Sequence, residues 1–365
     1  MDCKELMDFL CTETGFEDLG NERILHNFPA FGEAVGKSIN SGNIIEFSME
    51  LSDSLCNMDL YKASVLSNFI GFACEKEEDT SAGQGVIELF LKACNNLYDM
   101  FKSLETDDGC EGLPDFKEIY NKNPDWARAY FGFNILCVTV MAFLTRDTDL
   151  RKFLEDKGIG EKITYLAEET PESPYLKSIY YVDCMQRTCS DLKLLVLYPG
   201  KRQGFIATAN DLNNCFHLLF LLEEQIAENL GRKYGMSSFN ADKSLIDLAY
   251  GEYPEDCWDK LYVMHFTECN YSVMPHTECG NDDIMNLVWG EMPPDGIPVV
   301  DGYAVIVLLD KGPGRSFDAK FLAVPHNALD PYVEIERELS SGEYGKWEAR
   351  ISELVYWCNC YSKNK

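Results

Sequence analysis

The spacing of apolar residues changes character once along this chain, and no other feature constrains the fold as strongly. Up to about residue 190, apolar side chains recur at steps of three and four, the period of a helix. Beyond Thr188 they gather into short runs such as Leu192-Lys-Leu-Leu-Val-Leu-Tyr198, the pattern of strands. The two periods demand different backbones, so the spacing predicts a helical domain over residues 1–190 and an α+β domain over residues 191–365. Length agrees, because 365 residues exceed the ~250–300 at which a single core stops growing.

In the first half, Leu60, Ala63, Leu66, Ile70 and Cys74 form one stripe, and Val65, Phe69 and Phe72 widen it past half the circumference. A helix this apolar needs neighbours on two sides. Further helices are expected at about 21–39 with a kink near Pro29, and at 84–104, 124–144, 147–157, 160–169 and 173–190. Asn123-Pro124-Asp125 offers a cap before proline at a first helical position, and Asp147 offers a second cap. Glu75 to Gly83 and Thr106 to Gly112 read as acidic interhelical loops. The apolar run Phe131 to Leu144 is shorter than the ~20 residues that span a bilayer and reads as a core helix, so no membrane partner is expected.

Tyr61-Lys-Ala-Ser-Val-Leu-Ser-Asn-Phe-Ile70 resembles the third helix of an armadillo repeat. Arg151-Lys-Phe-Leu-Glu-Asp-Lys-Gly-Ile-Gly160, followed by Ile163 and Leu166, resembles that family's short helix, glycine turn and longer helix. The resemblance covers two units, and the stretch from Lys76 to Tyr130 departs from it. It implies an α-solenoid whose stacked helices present a curved protein-binding surface. An irregular helical bundle is the alternative.

After Thr188, Pro199-Gly-Lys-Arg-Gln-Gly204 joins Leu192–Tyr198 to Phe205-Ile-Ala-Thr-Ala209 as a hairpin. Asn210-Asp211 is placed to cap an apolar helix from Leu212 to Leu230, which should pack across a sheet. Leu261 to Thr267, Tyr303 to Leu309 and Phe317 to Val324 supply further strands, and Tyr344 to Trp357 a closing helix. Strands clustered with few helices between them favour α+β over a doubly wound sheet.

Charge narrows the partners. The net charge of −29 is spread over both halves, with 34 acidic against 17 basic residues up to residue 190. Such a chain repels phosphate backbones, so direct nucleic-acid binding is not expected, and it attracts basic proteins. The first ten residues carry acids and no unbroken apolar run, so no secretory leader is read there. The expectation is a cytoplasmic chain with reduced thiols.

Motifs of chemistry are sparse. Cys257, His265, Cys269, His276 and Cys279 have the composition of a zinc site, but His265 and Cys269 lie four apart on an expected strand. Same-side residues there stand ~13 Å apart, so they read as ordinary residues and no metal or other cofactor is expected. Lys201 and Arg202 in one glycine turn and Arg315 in another are candidate anion-binding cations, in neither a P-loop nor a dinucleotide fingerprint. His217, inside an apolar helix, reads as a core residue. Val288 to Val300 is apolar and proline-broken, so Trp289, Met292 and Ile297 either plug the domain or meet a partner.

Binding surfaces need no motif, whereas most common enzyme classes leave one. The sequence therefore points to an acidic interaction protein, of inhibitor or immunity type, that binds a basic partner. Glu75, Glu77, Glu78 and Asp79 beside the best helix, with Trp289, are its candidate contacts. The alternative is a hydrolase-like enzyme in the α+β domain. All 15 cysteines are expected to be free thiols in freshly isolated protein. Alkylation in denaturant followed by mass spectrometry checks this, and several specific disulfides would overturn the compartment assignment.

Overall fold

Side-chain caps decide where many helices of the first half begin. The computed structural model describes residues 3–26, 28–105, 112–234, 241–263, 274–275, 288–308 and 316–356, and it separates into two units, Met1–Gln186 and Arg187–Lys365. The first contains helices α1 (Cys3–Cys11), α2 (Pro29–Ser41), α3 (Ile44–Ser52), α4 (Leu60–Glu77), α5 (Gly83–Lys102), α6 (Phe116–Lys122), α7 (Pro124–Leu144), α8 (Thr148–Asp156), α9 (Gly160–Glu168) and α10 (Ile179–Gln186). The Asp59 carboxylate accepts the Lys62 N–H at 3.0 Å, Asn123 that of Asp125 at 3.2 Å, and Asp147 those of Asp149 and Leu150 at 2.9 and 3.1 Å. Each satisfies donors that the first turn leaves orphaned.

Three boundaries differ from the sequence expectation. Pro29 opens α2 instead of kinking a longer helix, since its ring suits a first turn and biases the preceding residue against one. Helix α4 runs on to Glu77 and stops at Glu78, in the left-handed region at φ 53°, so Glu75 and Glu77 belong to its last turn and not to a loop. The helix expected over 173–190 is only α10, because Pro171 and Pro174 lie in the turns before it.

Helix α7 is the hub, packed on α4, α5, α6 and α10. Small residues bring α4 and α7 close: a Cβ on Gly132 would stand 2.6 Å from the Ser64 Cβ, and one on Gly71 would stand 3.1 Å from the Thr139 Cγ2. The Cys74 thiol meets the Ala142 carbonyl at 3.6 Å. These pairs advance together along both helices, so α4 and α7 run parallel and end on the same side. By length and composition α7 could cross a membrane, but 78% of its apolar window is buried within the protein, which accounts for the apolarity.

One buried polar knot fastens residues 9–14 to this pair. The Asp59 carboxylate accepts the Thr14 N–H at 2.9 Å and the Thr14 hydroxyl at 2.6 Å, and pairs with the Arg128 Nε at 3.2 Å. Arg128, 4% exposed, also donates to the Thr14 carbonyl, Glu13 and Asp125. Lys62, equally buried, donates to the Phe9 and Thr12 carbonyls at 2.8 and 2.7 Å.

In the second unit, β1 (Leu192–Tyr198) and β2 (Gln203–Asn210) form the expected hairpin, followed by α11 (Cys215–Tyr234) and α12 (Lys243–Ala249). The remaining elements are β3 (Leu261–Val263), β4 (Met274–Pro275), β5 (Val299–Val300), β6 (Tyr303–Val307), β7 (Ser316–Asp318), β8 (Tyr332–Glu338), α13 (Ser341–Leu354) and β9 (Val355–Tyr356). The main sheet has the order β5-β6-β1-β2-β8, with β1 and β6 parallel and the other neighbours antiparallel. The pairs β3–β7 and β4–β9 are separate.

Both faces of the main sheet are covered. Leu194, Val196, Phe205 and Ala207 pack with Leu218, Leu219 and Leu222 of α11, while Leu195, Leu197, Ile206 and Val305 pack with Tyr344 and Ile351 of α13. A strand buried on two sides has no polar face to alternate, which explains the apolar run Leu194–Tyr198 of β1 after the exposed Lys193.

Three elements differ from the sequence expectation. The closing helix is α13, which starts at Ser341 and gives way to β9 at Val355. The strand expected over Phe317–Val324 ends at Asp318, where a single turn of 3₁₀ helix, Ala319–Leu322, takes over. Helix α11 begins at Cys215, where Asn214 accepts the His217 N–H at 2.9 Å, not after Asp211, and it continues through Gly231.

Replacing Asp59 by Ala uncaps α4 and leaves Arg128 buried beside a lost partner, a loss of about 3–5 kcal/mol. The urea midpoint of the full chain reads this directly. A shift worth less than about 1 kcal/mol would mean that the knot does not hold the helices.

Candidate functional site

The surplus apolar residues of α4 have a destination. The apolar stripe of α4 is wider than its contacts with α5 and α7 need, and its surplus residues Val65, Phe69 and Phe72 line a groove of about 730 Å³ between α2, α4 and α7. Leu25, Phe31 and Val35 form one wall, Val65, Phe69 and Phe72 the other. Gly71, Thr139 and Ala142 lie where the close α4–α7 contact leaves only small side chains, and Val138 lines the α7 side. Phe31 and Phe47 meet Phe69 edge-on, at centroid distances of 6.1 and 5.9 Å, and fix its ring. Phe72 and Val138 remain 53% and 51% exposed, an unusual cost for neighbours on one surface. Glu22, His26 and Glu75 stand on the rim.

Of the predicted contacts, Glu75 alone lines the groove, 3.5 Å from the Arg146 guanidinium. Glu77 pairs with Lys76 at 2.9 Å, the Glu78 N–H caps α4 on the Cys74 carbonyl, and Asp79 accepts the Ser81 N–H at 2.9 Å. All four thus gather at the C-terminal end of α4, where the helix carbonyls already make the potential negative. Trp289 lies in the other unit, 49% exposed. Its segment closes the start of α11, with the Gly290 and Met292 carbonyls accepting the Phe216 and Cys215 N–H groups, and Ile297 plugs the core.

Of the cation and metal candidates, only Lys201, Arg202 and Cys257 fall within the described residues. Lys201 and Arg202 are exposed at the hairpin turn, with Arg202 3.8 Å from Glu348; Arg315 lies outside the described residues. Cys257 is buried, its thiol 3.0 Å from the Pro254 carbonyl, and His265, Cys269, His276 and Cys279 lie outside the described residues.

The chain matches no family model, no curated protein and no solved structure.

A second group of titratable residues lines α11. His217 is fully buried and its Nε2 lies 2.7 Å from the Ala249 carbonyl, which can only accept, so Nε2 carries the proton and Nδ1 is left without a partner. Tyr250 donates to Glu224 at 2.6 Å and Tyr262 to Glu223 at 2.9 Å. Burial raises the Glu224 carboxyl and both phenols. Each phenol hydroxyl is matched to a carboxylate, so the pairs lock α11 to the end of α12 and to β3.

Burial pushes the His217 imidazole down to about 4 from its ordinary 6.5, against the Ala249 carbonyl, which favours the charged form. The unfolded chain then takes up the proton first. Stability contributed by neutral His217 is complete above pH 6.5 and falls as the pH drops toward about 4, by about 3 kcal/mol in all. His217→Gln keeps a donor for Ala249 and cannot charge, so its stability should depend less on pH between 7 and 4.5. Parallel unfolding curves for the two proteins across that range would contradict the burial of a neutral imidazole.

Proposed function

We propose that this chain is an acidic protein-interaction protein whose helical unit engages a basic partner, in the manner of an inhibitor or immunity-type protein acting in the cytoplasm. The observation that carries the reading is the groove between α2, α4 and α7, apolar inside and bordered by Glu22 and Glu75. Apolar area supplies affinity, and the surrounding negative charge supplies rate and selectivity. The acidic excess of the first 190 residues, 34 against 17, supports a positively charged partner and argues against nucleic acid.

An armadillo-like stack is part of the same proposal. Helices α4, α7 and α10 then stand as the third helices of successive triplets, and the packing of α7 on both α4 and α10 supports that order. The groove would lie on the surface that such third helices share.

The test uses the protein recovered with the full chain after crosslinking in its native cell. Its association rate should fall as the Debye length shrinks from ~10 Å at 0.1 M salt to ~3 Å at 1 M. It should fall also in the Glu77→Lys/Glu78→Lys variant at low salt. A rate indifferent to both changes would reduce the acidity to a solubility device and remove the reading.

A further inference from the structure

We infer that the occupant of this groove is a single amphipathic α-helix of about three turns, docked antiparallel to α4 and α7 with a Lys/Arg-bearing N-terminal end at their C-termini. The inference rests on the proposed binding role and names the partner's shape, polarity and register of charge.

The lining residues of α4 extend from Val65 to Glu75, which at 1.5 Å per residue is about 15 Å, the length of ten helical residues. A peptide could also bind by adding a strand, but the described residues of this unit contain no strand edge to receive it. A helix is the form that can lay one apolar face along two walls made of helices. Phe72 and Val138, half-exposed on facing elements, are then covered by residues at i, i+3, i+4 and i+7 of the guest.

Polarity follows from the parallel run of α4 and α7. Both put their C-terminal carbonyls at the same end, each equivalent to roughly half a negative charge. Glu75 and Glu77 lie in the last turn of α4 and Glu78 and Asp79 directly after it, while Asp147, which caps α8 and accepts the Thr80 hydroxyl at 2.7 Å, follows α7. The cations at this end are engaged: Lys76 with Glu77 at 2.9 Å, and Arg146 with Glu75 at 3.5 Å and the Ala142 carbonyl at 3.0 Å. The pole therefore stays negative. A guest helix places its positive dipole end there, and Lys or Arg in its first turn adds to the attraction.

Three labelled peptides of about 12 residues test this against the full chain by fluorescence anisotropy. The first has leucines at helical spacing with Lys/Arg in the first turn. The second carries the same residues with the basic ones in the last turn. The third keeps the basic first turn and scrambles the leucine spacing.

The first should bind roughly tenfold more tightly than either other peptide. Basic residues in a first turn weaken an isolated helix, so the expected order runs against intrinsic helicity. Val138→Lys, at an exposed site, and Gly32→Leu, whose Cβ meets nothing within 4 Å, should each lower that affinity at least tenfold while leaving the circular dichroism melt in place.

Equal binding of the first two peptides, or binding indifferent to both substitutions, overturns the inference. So does an apolar dye that occupies the groove and is not displaced by the first peptide, which would mark a small-molecule pocket. A basic partner whose association is salt-dependent but unchanged by Val138→Lys would sink this inference and leave the proposed function standing. Peptide binding as expected, beside a partner whose rate ignores salt, would do the reverse.

Discussion

The helical unit depends on one buried carboxylate. Asp59 starts α4, receives Thr14 and pairs with Arg128, so a single side chain ties the N-terminal segment, α4 and α7 into one arrangement. Taking Asp59, Arg128 and Lys62 out of water costs several kcal/mol for each charge, and only a full set of partners offsets it. The set is supplied by the Phe9, Thr12 and Thr14 carbonyls, by Asp125 and Glu13, and by the Tyr120 hydroxyl, which accepts from Arg128 at 3.5 Å. Residues 9–14 in this placement supply those acceptors, so the knot acts as a register pin more than as a source of net stability.

With the register set, the close α4–α7 contact follows and has a functional consequence. Ser64, Ser67 and Gly71 face Gly132 and Thr139, and Ser67 donates to the Thr139 hydroxyl at 3.2 Å. Side chains this short let the backbones approach, but they cannot fill the angle between α4 and α2. The large residues Phe69, Phe72 and Val138 are left around a depression instead of inside a core. The same contact makes the two helices parallel, which concentrates negative charge at one end of the groove.

The second unit solves a different problem. A five-stranded sheet with two open edges would expose β5 and β8, and both edges are blunted in familiar ways. Strand β5 has two residues, and β8 carries Glu334, Glu336, Arg337 and Glu338 around a buried Val333. Helix α11 holds its polar residues against α12 and β3, where each phenol meets a carboxylate. Both devices suit a sheet covered on its two faces by α11 and α13.

What could be read in the chain alone was local. The caps at Asn123 and Asp147 and the turn from Pro199 to Gly204 act over two to six neighbouring residues, and the helices and hairpin they punctuate stand where the spacing predicts. Strand β8 escaped notice because its alternation is mostly charge, with Val333 alone deeply buried, and the strand expected over Phe317–Val324 is short because its partner β3 offers three residues. The excess apolar width of α4 was legible too, but its meaning was not. Whether Phe69 and Phe72 enter a core or line a groove depends on how near α7 and α2 come, and that distance is set by Gly71 and Gly132 meeting partners far along the chain. Glu75 reads as a loop residue in sequence and becomes a groove residue because α4 finds enough cover to run another turn. Hydrogen bonds between near neighbours set the elements, whereas the site arises from packing between distant ones, which spacing along one helix cannot encode.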